Sequence, residues 1–406
     1  MNFDSKIDNE RENIIKNTIE LIKIPNENNS LKHILNVANQ MGFKTKAVEG
    51  YYGIIEFGQG EELIGIVSHL DVVPEGEGWN HPPYGGIIEN NKIYGRGAQD
   101  DKGPTIAALY AMKTIKDNIE INKRVRLILG LSEETTWKCI EKYKANEELP
   151  TIGFSPDGDF PCIYAEKGML CFKICQRDGA NDIQSIECDN PLNVVPNYCK
   201  VVVEKSELIT RGKESHAAHP ENGINAVAEM VEKLYNLDES NEMIAFLHNY
   251  IGKEYNGEKL GLNITDESGT LTLNLSKIAL EDKKITAYFD IRYPISLKSE
   301  DIIDKFKNKG MQIEVIKNKP PLYVPKDSKL INTLTNVYNE YTNSNAEPIA
   351  IGGTTYAKAF KNVVAYGPGF PKDVSTIHQA NENIEIDKLI LMTKIYTKAI
   401  YELANI

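Results

Sequence analysis

Five short stretches of this chain carry side chains that can bind cations or move protons. Ser68-His69-Leu70-Asp71 closes the apolar run ELIGIV. An imidazole there can offer one ring nitrogen to a metal while the nearby carboxylate acts from behind it. Gly95-Arg96-Gly97-Ala98-Gln99-Asp100-Asp101-Lys102-Gly103 is a glycine-rich loop leading into a helix, and an Asp in such a loop could bridge two cations. Ser132-Glu133-Glu134 directly follows the run RVRLILGL. Adjacent carboxylates at a strand end can divide the work, one binding a metal and the other acting as general base on water. Phe154-Ser155-Pro156-Asp157-Gly158-Asp159 follows another strand-like run, and His378 lies late in the chain within STIHQANENI.

Taken singly, each stretch has an ordinary reading. His69 and Asp71 could be a surface pair, and the loop at Asp100 a turn whose Asp caps a helix. Glu133 and Glu134 could be a solvated pair opening a helix, the Asp157 stretch an acidic turn, and His378 a surface or capping residue. The glycines do not match a phosphate loop, because no G-x-x-x-x-G-K-[ST] is present.

The elements that must position these groups are legible from periodicity. Residues 10–42 show helical spacing at Ile14, Ile15, Ile19, Leu21 and Ile22 and again from Leu31 to Ala38, with a Pro-Asn break between. Strand-like runs follow in KTKAVEGYYGIIEF and ELIGIVSHL, then a turn-rich EGEGWNHPPYGG. Lys102–Lys116 reads as a helix with Gly103-Pro104 in its first turn. RVRLILGL and TIGFSP are further strands. This alternation predicts a mostly parallel sheet with helices on its faces, where ligands gather at the strand ends. After about residue 167 the texture changes to alternating strands (KVVVEKSELITRG, TLTLNLSKIAL, KITAYFDIRYP) around the helix INAVAEMVEKLYNL. Longer helices return with SKLINTLTNVYNEYT and IDKLILMTKIYTKAIYELA. The expected organisation is residues 1–167 and 319–406 as one domain, with an α+β domain of residues 168–318 inserted into it.

Composition narrows the functional classes. The 406 residues carry 46 Lys+Arg against 58 Asp+Glu, a net charge of −12. That balance argues against nucleic acid, whose binders gather excess Lys and Arg, and against an anionic membrane surface. The N-terminus lacks a basic segment followed by an apolar one, so no signal peptide is expected. No apolar run approaches the roughly 18 residues of a membrane span. The six Cys are too sparse for a disulfide framework and lack C-x-x-C spacing. Reduced thiols in a cytoplasmic protein are the expectation.

The joint order of His69, Asp100, Glu133/Glu134, Asp157 and His378 is a set that can hold two divalent ions with a shared carboxylate. The chain here resembles the co-catalytic metallopeptidases that include aminoacylases, acetylornithine and succinyl-diaminopimelate deacylases, and PepV-type dipeptidases. The resemblance rests on SHLDVVPEG, YGRGAQDDKGP, SEETTWKC, GFSPDGDFP, GKESHAAHPENGINA, FDIRYP, IGGTTYA and IHQANENI, which run in one order from about residue 64 to 385. TWKCIEKY, PDGDFPCIYAEKG and AFLHNYIGKEYNGEKLGLNITDESGTLTLNLSKI place the likeness nearest the PepV-type subgroup.

That resemblance implies an α/β catalytic domain, a mixed sheet flanked by helices, with an inserted α+β lid. It implies His69 and Asp157 on one ion, Glu134 and His378 on the other, and Asp100 bridging, with Asp159 the alternative to Asp157. Asp71 would orient the site and Glu133 would be the general base. In the lid, His216 would stabilise the oxyanion, Arg292 would hold the substrate's terminal carboxylate, and Asn193, Gly352 and Gly353 would touch substrate. The expected cofactor is two divalent ions, Zn²⁺ first, with Mn²⁺ or Co²⁺ as alternatives. The expected substrate is an unblocked dipeptide and the expected state a monomer, with a lid-mediated homodimer as alternative. SEE stands where Asp-Glu-Glu is commoner, and the lid is somewhat short for the subgroup. Two rivals remain: an N-acyl amino acid deacylase or carboxypeptidase with the same ligands, and a relative that binds metal or peptide without turnover.

Overall fold

The computed structural model describes residues 3–175, 183–204 and 206–406. The chain divides into two compact units: residues 1–164, 324–349 and 355–406 form the first, and residues 165–323 and 350–354 the second.

The first unit is a mixed sheet with helices. Its spine is the strand Leu63–His69, in which all seven residues are buried. A strand buried on both faces needs a continuous apolar run rather than alternation, and LIGIV supplies it. Each fully buried Leu, Ile or Val contributes about 1.5–3 kcal/mol. Leu63–His69 runs parallel to Arg124–Gly130 on one side and to Ile152–Ser155 on the other. Ile152–Ser155 is in turn parallel to Val363–Ala365. The far edge is antiparallel: Tyr52–Gly58 pairs with Arg124–Gly130, and Lys44–Val48 with Tyr52–Gly58. The run KTKAVEGYYGIIEF is therefore a hairpin with a turn around Gly50. The sheet is parallel only in its centre.

Register fixes where the strands deliver their chemistry. His69 lies opposite Gly130, and Ala365 opposite Ser155. The carboxyl ends of these parallel strands thus share one edge, and Glu133, Glu134 and Asp157 follow within a few residues.

The helices that pack here follow from their sequences. Arg11–Ile22 and Glu27–Gln40 are the two halves of the expected N-terminal helical region. Asn26 caps the second, its side chain accepting from the Asn29 amide at 3.0 Å. Lys102–Asn118 is buried along most of its length, and the final helix Ile386–Ala404 packs against it. Beneath them Phe154 lies 5.6 Å from the Tyr366 ring and 5.2 Å from Tyr396. No helix among the described residues is long and apolar enough to cross a membrane.

The second unit is α+β. Its four-stranded antiparallel sheet runs in the order Thr272–Glu281, Lys284–Tyr293, Gly168–Cys175, Gln312–Lys319. Ile183–Glu187, Tyr198–Val203 and Ser206–Arg211 form a separate three-stranded sheet. Lys205, between the last two, lies outside the described residues. Phe172, Phe289 and Phe306 meet in the core, joined by Met230 and Leu234 of the helix Ala226–Leu237.

Candidate active site

His69 ends the central strand almost fully buried. Its Nδ1 lies 2.9 Å from the Asp71 backbone carbonyl, which turns Nε2 toward Asp100 Oδ1 at 2.9 Å. Asp157 Oδ2 lies 3.9 Å from the same Nε2. On the other side of Asp100, Oδ2 lies 2.9 Å from His378 Nε2, which is also 2.8 Å from Glu134 Oε1. His69, Asp100 and Asp157 form one cluster, and Asp100, Glu134 and His378 a second, with the donor atoms of each within 4.8 Å of one another. Asp100 belongs to both through its two oxygens. Asp159 is in neither cluster.

The carboxylate of Asp71 does something the sequence does not reveal. Its Oδ1 accepts from the Glu133 amide and its Oδ2 from the Glu134 amide, each at 3.0 Å. The His69–Asp71 contact runs through the backbone carbonyl, since the carboxylate stands 3.6 Å from Nδ1. Asp71 thus clamps the turn that presents both Glu side chains. The charge of Glu133 is felt at Asp157 and at the Tyr356 hydroxyl, which places it beside the clusters.

Asp101 takes the N-cap position of Lys102–Asn118 without capping it. Its Oδ2 instead accepts from Ser68 Oγ at 2.5 Å, and Ser68 Oγ also meets Thr105 Oγ1. Tyr356 lies beneath the site. Its ring meets His69 edge-on at 6.1 Å and Trp137 at 5.1 Å, and its hydroxyl lies 2.6 Å from Cys139 Sγ. Gly130 is required there, because a Cβ would fall 2.5 Å from that ring. Tyr356 stands within IGGTTYA, where the glycines alone attract notice in the sequence.

The charged groups of the two clusters shift one another's protonation. Burial works against charge on His69, yet the hydrogen bond and charge of Asp100 raise its pKa well above the usual imidazole range, with Asp157 and Asp71 adding to the effect. Burial opposes the charge on His378 too, but Asp100 and Glu134 raise it to about 10. Burial, with the Asp100 charge, pushes Asp157 well above the carboxylate range. Burial also presses on Asp100, but the two histidines hold it low. These donors fit a pair of divalent cations: imidazole nitrogens and carboxylate oxygens only, with one carboxylate between the two sets. Metal ligation requires neutral imidazole. Loading the metal-free protein at pH 7 should therefore release protons, those of both histidines among them. Affinity should rise with pH as the histidines become easier to deprotonate. Titration calorimetry in buffers of different ionisation enthalpy measures the release, and a value near zero would contradict the pairing of both histidines with Asp100.

The other expected residues all lie in the second unit. The Ala217 amide donates to the Asn193 carbonyl at 2.8 Å, and the Ala218 amide to His216 Nδ1 at 3.1 Å. A Cβ on Gly352 would meet Ala218 at 3.0 Å. Arg292, 4% exposed, donates through Nε and Nη2 to the two oxygens of Asp290 at 2.7 and 2.9 Å, and through Nη1 to the Gly352 carbonyl at 3.3 Å. Gly353 follows directly. Asn193, His216, Arg292 and the Gly352-Gly353 turn are thus near one another, and one edge of the Arg292 fork is already taken by Asp290.

Residues 65–402 match the model of peptidase family M20/M25/M40. The chain belongs to this family. Among its relatives, "Putative dipeptidase YtjP" of Bacillus subtilis (strain 168) is 35% identical over 463 aligned positions, covering 100% of both chains. The fold of this M20 chain is similar to that of human carnosine dipeptidase 1, with a TM-score of 0.65 at 15% identity, covering 100% of this chain and 98% of that one. It is likewise similar to an M20 family metallo-carboxypeptidase of Sulfolobus solfataricus, with a TM-score of 0.64 at 18% identity, covering 97% and 99%. Peptidases named for different cleavages therefore share the M20 architecture, and the choice among them lies in the residues around the site.

Proposed function

We propose that this M20 chain is a metal-dependent dipeptidase that hydrolyses unblocked dipeptides in the cytoplasm. The observation that carries the reading is Asp100, whose two oxygens join two clusters of metal-ligand type beside the Glu133-Glu134 turn. His69, Asp157 and Asp100 would hold one ion; Glu134, His378 and Asp100 would hold the other. When bound, the ions supply Lewis acidity that lowers the pKa of water towards about 7 and polarises the scissile carbonyl. Zn²⁺ suits the donors best, with Mn²⁺ and Co²⁺ as alternatives set by availability.

The chain's own residues do the rest. Glu133 takes the proton of the attacking water and passes it to the leaving amine. Asp71 fixes that carboxylate's turn through two amides, so the base and the ligand Glu134 stay in register. His216 donates to the oxygen that gains charge in the transition state. Arg292 recognises the substrate's terminal carboxylate. Because Asp290 holds its Nε–Nη2 edge, the carboxylate would be met end-on from the Nη1 side. Asn193 and the Gly352-Gly353 backbone complete the contacts. The kinship with YtjP supports a dipeptide substrate. The six free cysteines, five of them buried, support a reducing compartment. We take the active form to be a monomer.

The test is a panel of dipeptides, tetrapeptides and N-acetyl amino acids, assayed before and after chelation. Dipeptides should be hydrolysed, chelation should stop the reaction, and restored divalent metal should revive it. Faster cleavage of N-acetyl amino acids would make the chain a deacylase. Tight peptide binding with no turnover under Zn²⁺, Mn²⁺ or Co²⁺ would make it a binding protein.

A further inference from the structure

Four residues beyond His378, a second carboxylate reaches the loop that carries Asp100. Glu382 is fully buried and lies outside both ligand clusters. Its Oε1 accepts from three backbone amides of that loop: Gly97 at 3.1 Å, Gln99 at 2.9 Å and Asp100 at 3.1 Å. Its Oε2 accepts from Arg96 Nη1 at 2.7 Å, and its own carbonyl accepts from the Gly95 amide at 2.9 Å. Arg96, 1% exposed, also donates to the Gln379 carbonyl, one residue past His378, at 3.3 Å.

These contacts have one physical consequence. Asp100 and His378 come from loops far apart in sequence, and neither loop is part of the sheet. The strands flanking these loops pair, with Asn383 opposite Tyr94, but that ladder stops short of Asp100 and His378, so their spacing needs a further support. A carboxylate that accepts three amides and an Arg is a charge-assisted network, stronger and more directional than neutral hydrogen bonds. Burial gives it few alternative partners. We propose that Glu382 is a positioning residue for the metal ligands: one buried carboxylate that sets the Asp100 loop and the His378 loop at the spacing two cations need. This rests on the reading of the two clusters as a dinuclear metal site.

The experiment uses Co²⁺ as probe on the full chain. Glu382→Gln keeps size and removes the charge that gathers the amides and Arg96. Its Co²⁺ affinity, from competition with a chromophoric chelator, should fall about 10–100-fold, and the visible absorption of bound Co²⁺ should change in intensity and position. A control variant, Leu334→Ala, opens a cavity in the helix Lys329–Thr342, whose residues are outside both clusters. It should lose thermal stability while keeping wild-type Co²⁺ affinity and spectrum, so lost stability alone does not produce the expected result. If Glu382→Gln does not fold, Glu382→Asp, which keeps the charge but shortens its reach, is measured in the same way. Wild-type affinity and spectrum in the Glu382 variant would overturn the proposal, as would an equal loss in Leu334→Ala. Failure of the wild-type protein to bind Co²⁺ at all would overturn the metal reading itself, a different and separable result.

Discussion

Glu133→Ala is expected to retain both metal ions and to lose about 10²–10⁴-fold in dipeptide turnover. The separation is possible because of how the turn is built. Asp71 holds the amide of Glu133, and the neighbouring amide and side chain belong to Glu134, so truncating Glu133 leaves the turn and the ligand in place. What goes is a carboxylate whose charge reaches Asp157 and the space beside the clusters. Turnover of a dipeptide and metal content should be measured on the same preparation. Near-normal turnover would remove Glu133 from the role of base. Loss of metal together with activity would make it a ligand instead.

Asp100→Ala is expected to abolish high-affinity binding at both clusters at once, whereas His378→Ala should impair one. Asp100 is the only residue the two clusters share. Its removal withdraws a donor from each and leaves His69 and His378 without the carboxylate that pairs with both. The consequence extends to stability. A ligand that binds only the folded state stabilises it by about 2.7 kcal/mol when its free concentration is 100 times Kd. Wild-type protein should therefore melt at a higher temperature with Zn²⁺ than after chelation, while Asp100→Ala should melt at the same temperature in both. A metal-dependent rise in the variant equal to that of wild type would show that Asp100 is not shared.

Much of the frame could be read from residue order. The apolar run before His69, RVRLILGL and TIGFSP had to be buried strands, and chemistry-bearing residues just past such strands share an edge once the strands are parallel. That is why His69, the Glu133-Glu134 pair and Asp157 could be grouped from residue order, while Glu134 as the ligand of that pair is what the resemblance implies. The antiparallel edge was harder to see, because KTKAVEGYYGIIEF reads as one extended run and its reversal depends on a short turn around Gly50. The resemblance already prefers Asp157 to Asp159, and Asp157 is the one whose Oδ2 lies 3.9 Å from His69 Nε2. The network around Glu382 and the clamp at Asp71 were invisible for a different reason. Both work through backbone amides, and an amide carries no residue type to recognise. The Asp290 grip on Arg292 is written as D-I-R, alternate residues on one strand face, but nothing in that spacing says the two are paired.

The division of the chain sets the order in which the site comes into being. His69, Asp100 and Asp157 all precede residue 165, where the second unit begins, whereas His378 lies beyond residue 354, after that unit is finished. At about 5–20 residues per second of synthesis, Asp157 leaves the ribosome on the order of ten to forty seconds before His378. One complete set of donors is therefore available to the nascent chain while the other still lacks its imidazole. The second unit, nearly continuous in sequence, has its whole length available before the first can close around the strand Val363–Ala365 and the helix Ile386–Ala404. Synthesis order therefore makes the donors of the His69 set available before the His378 set is complete, while both sets reach their folded arrangement only once the last strand and helix of the first unit have been made.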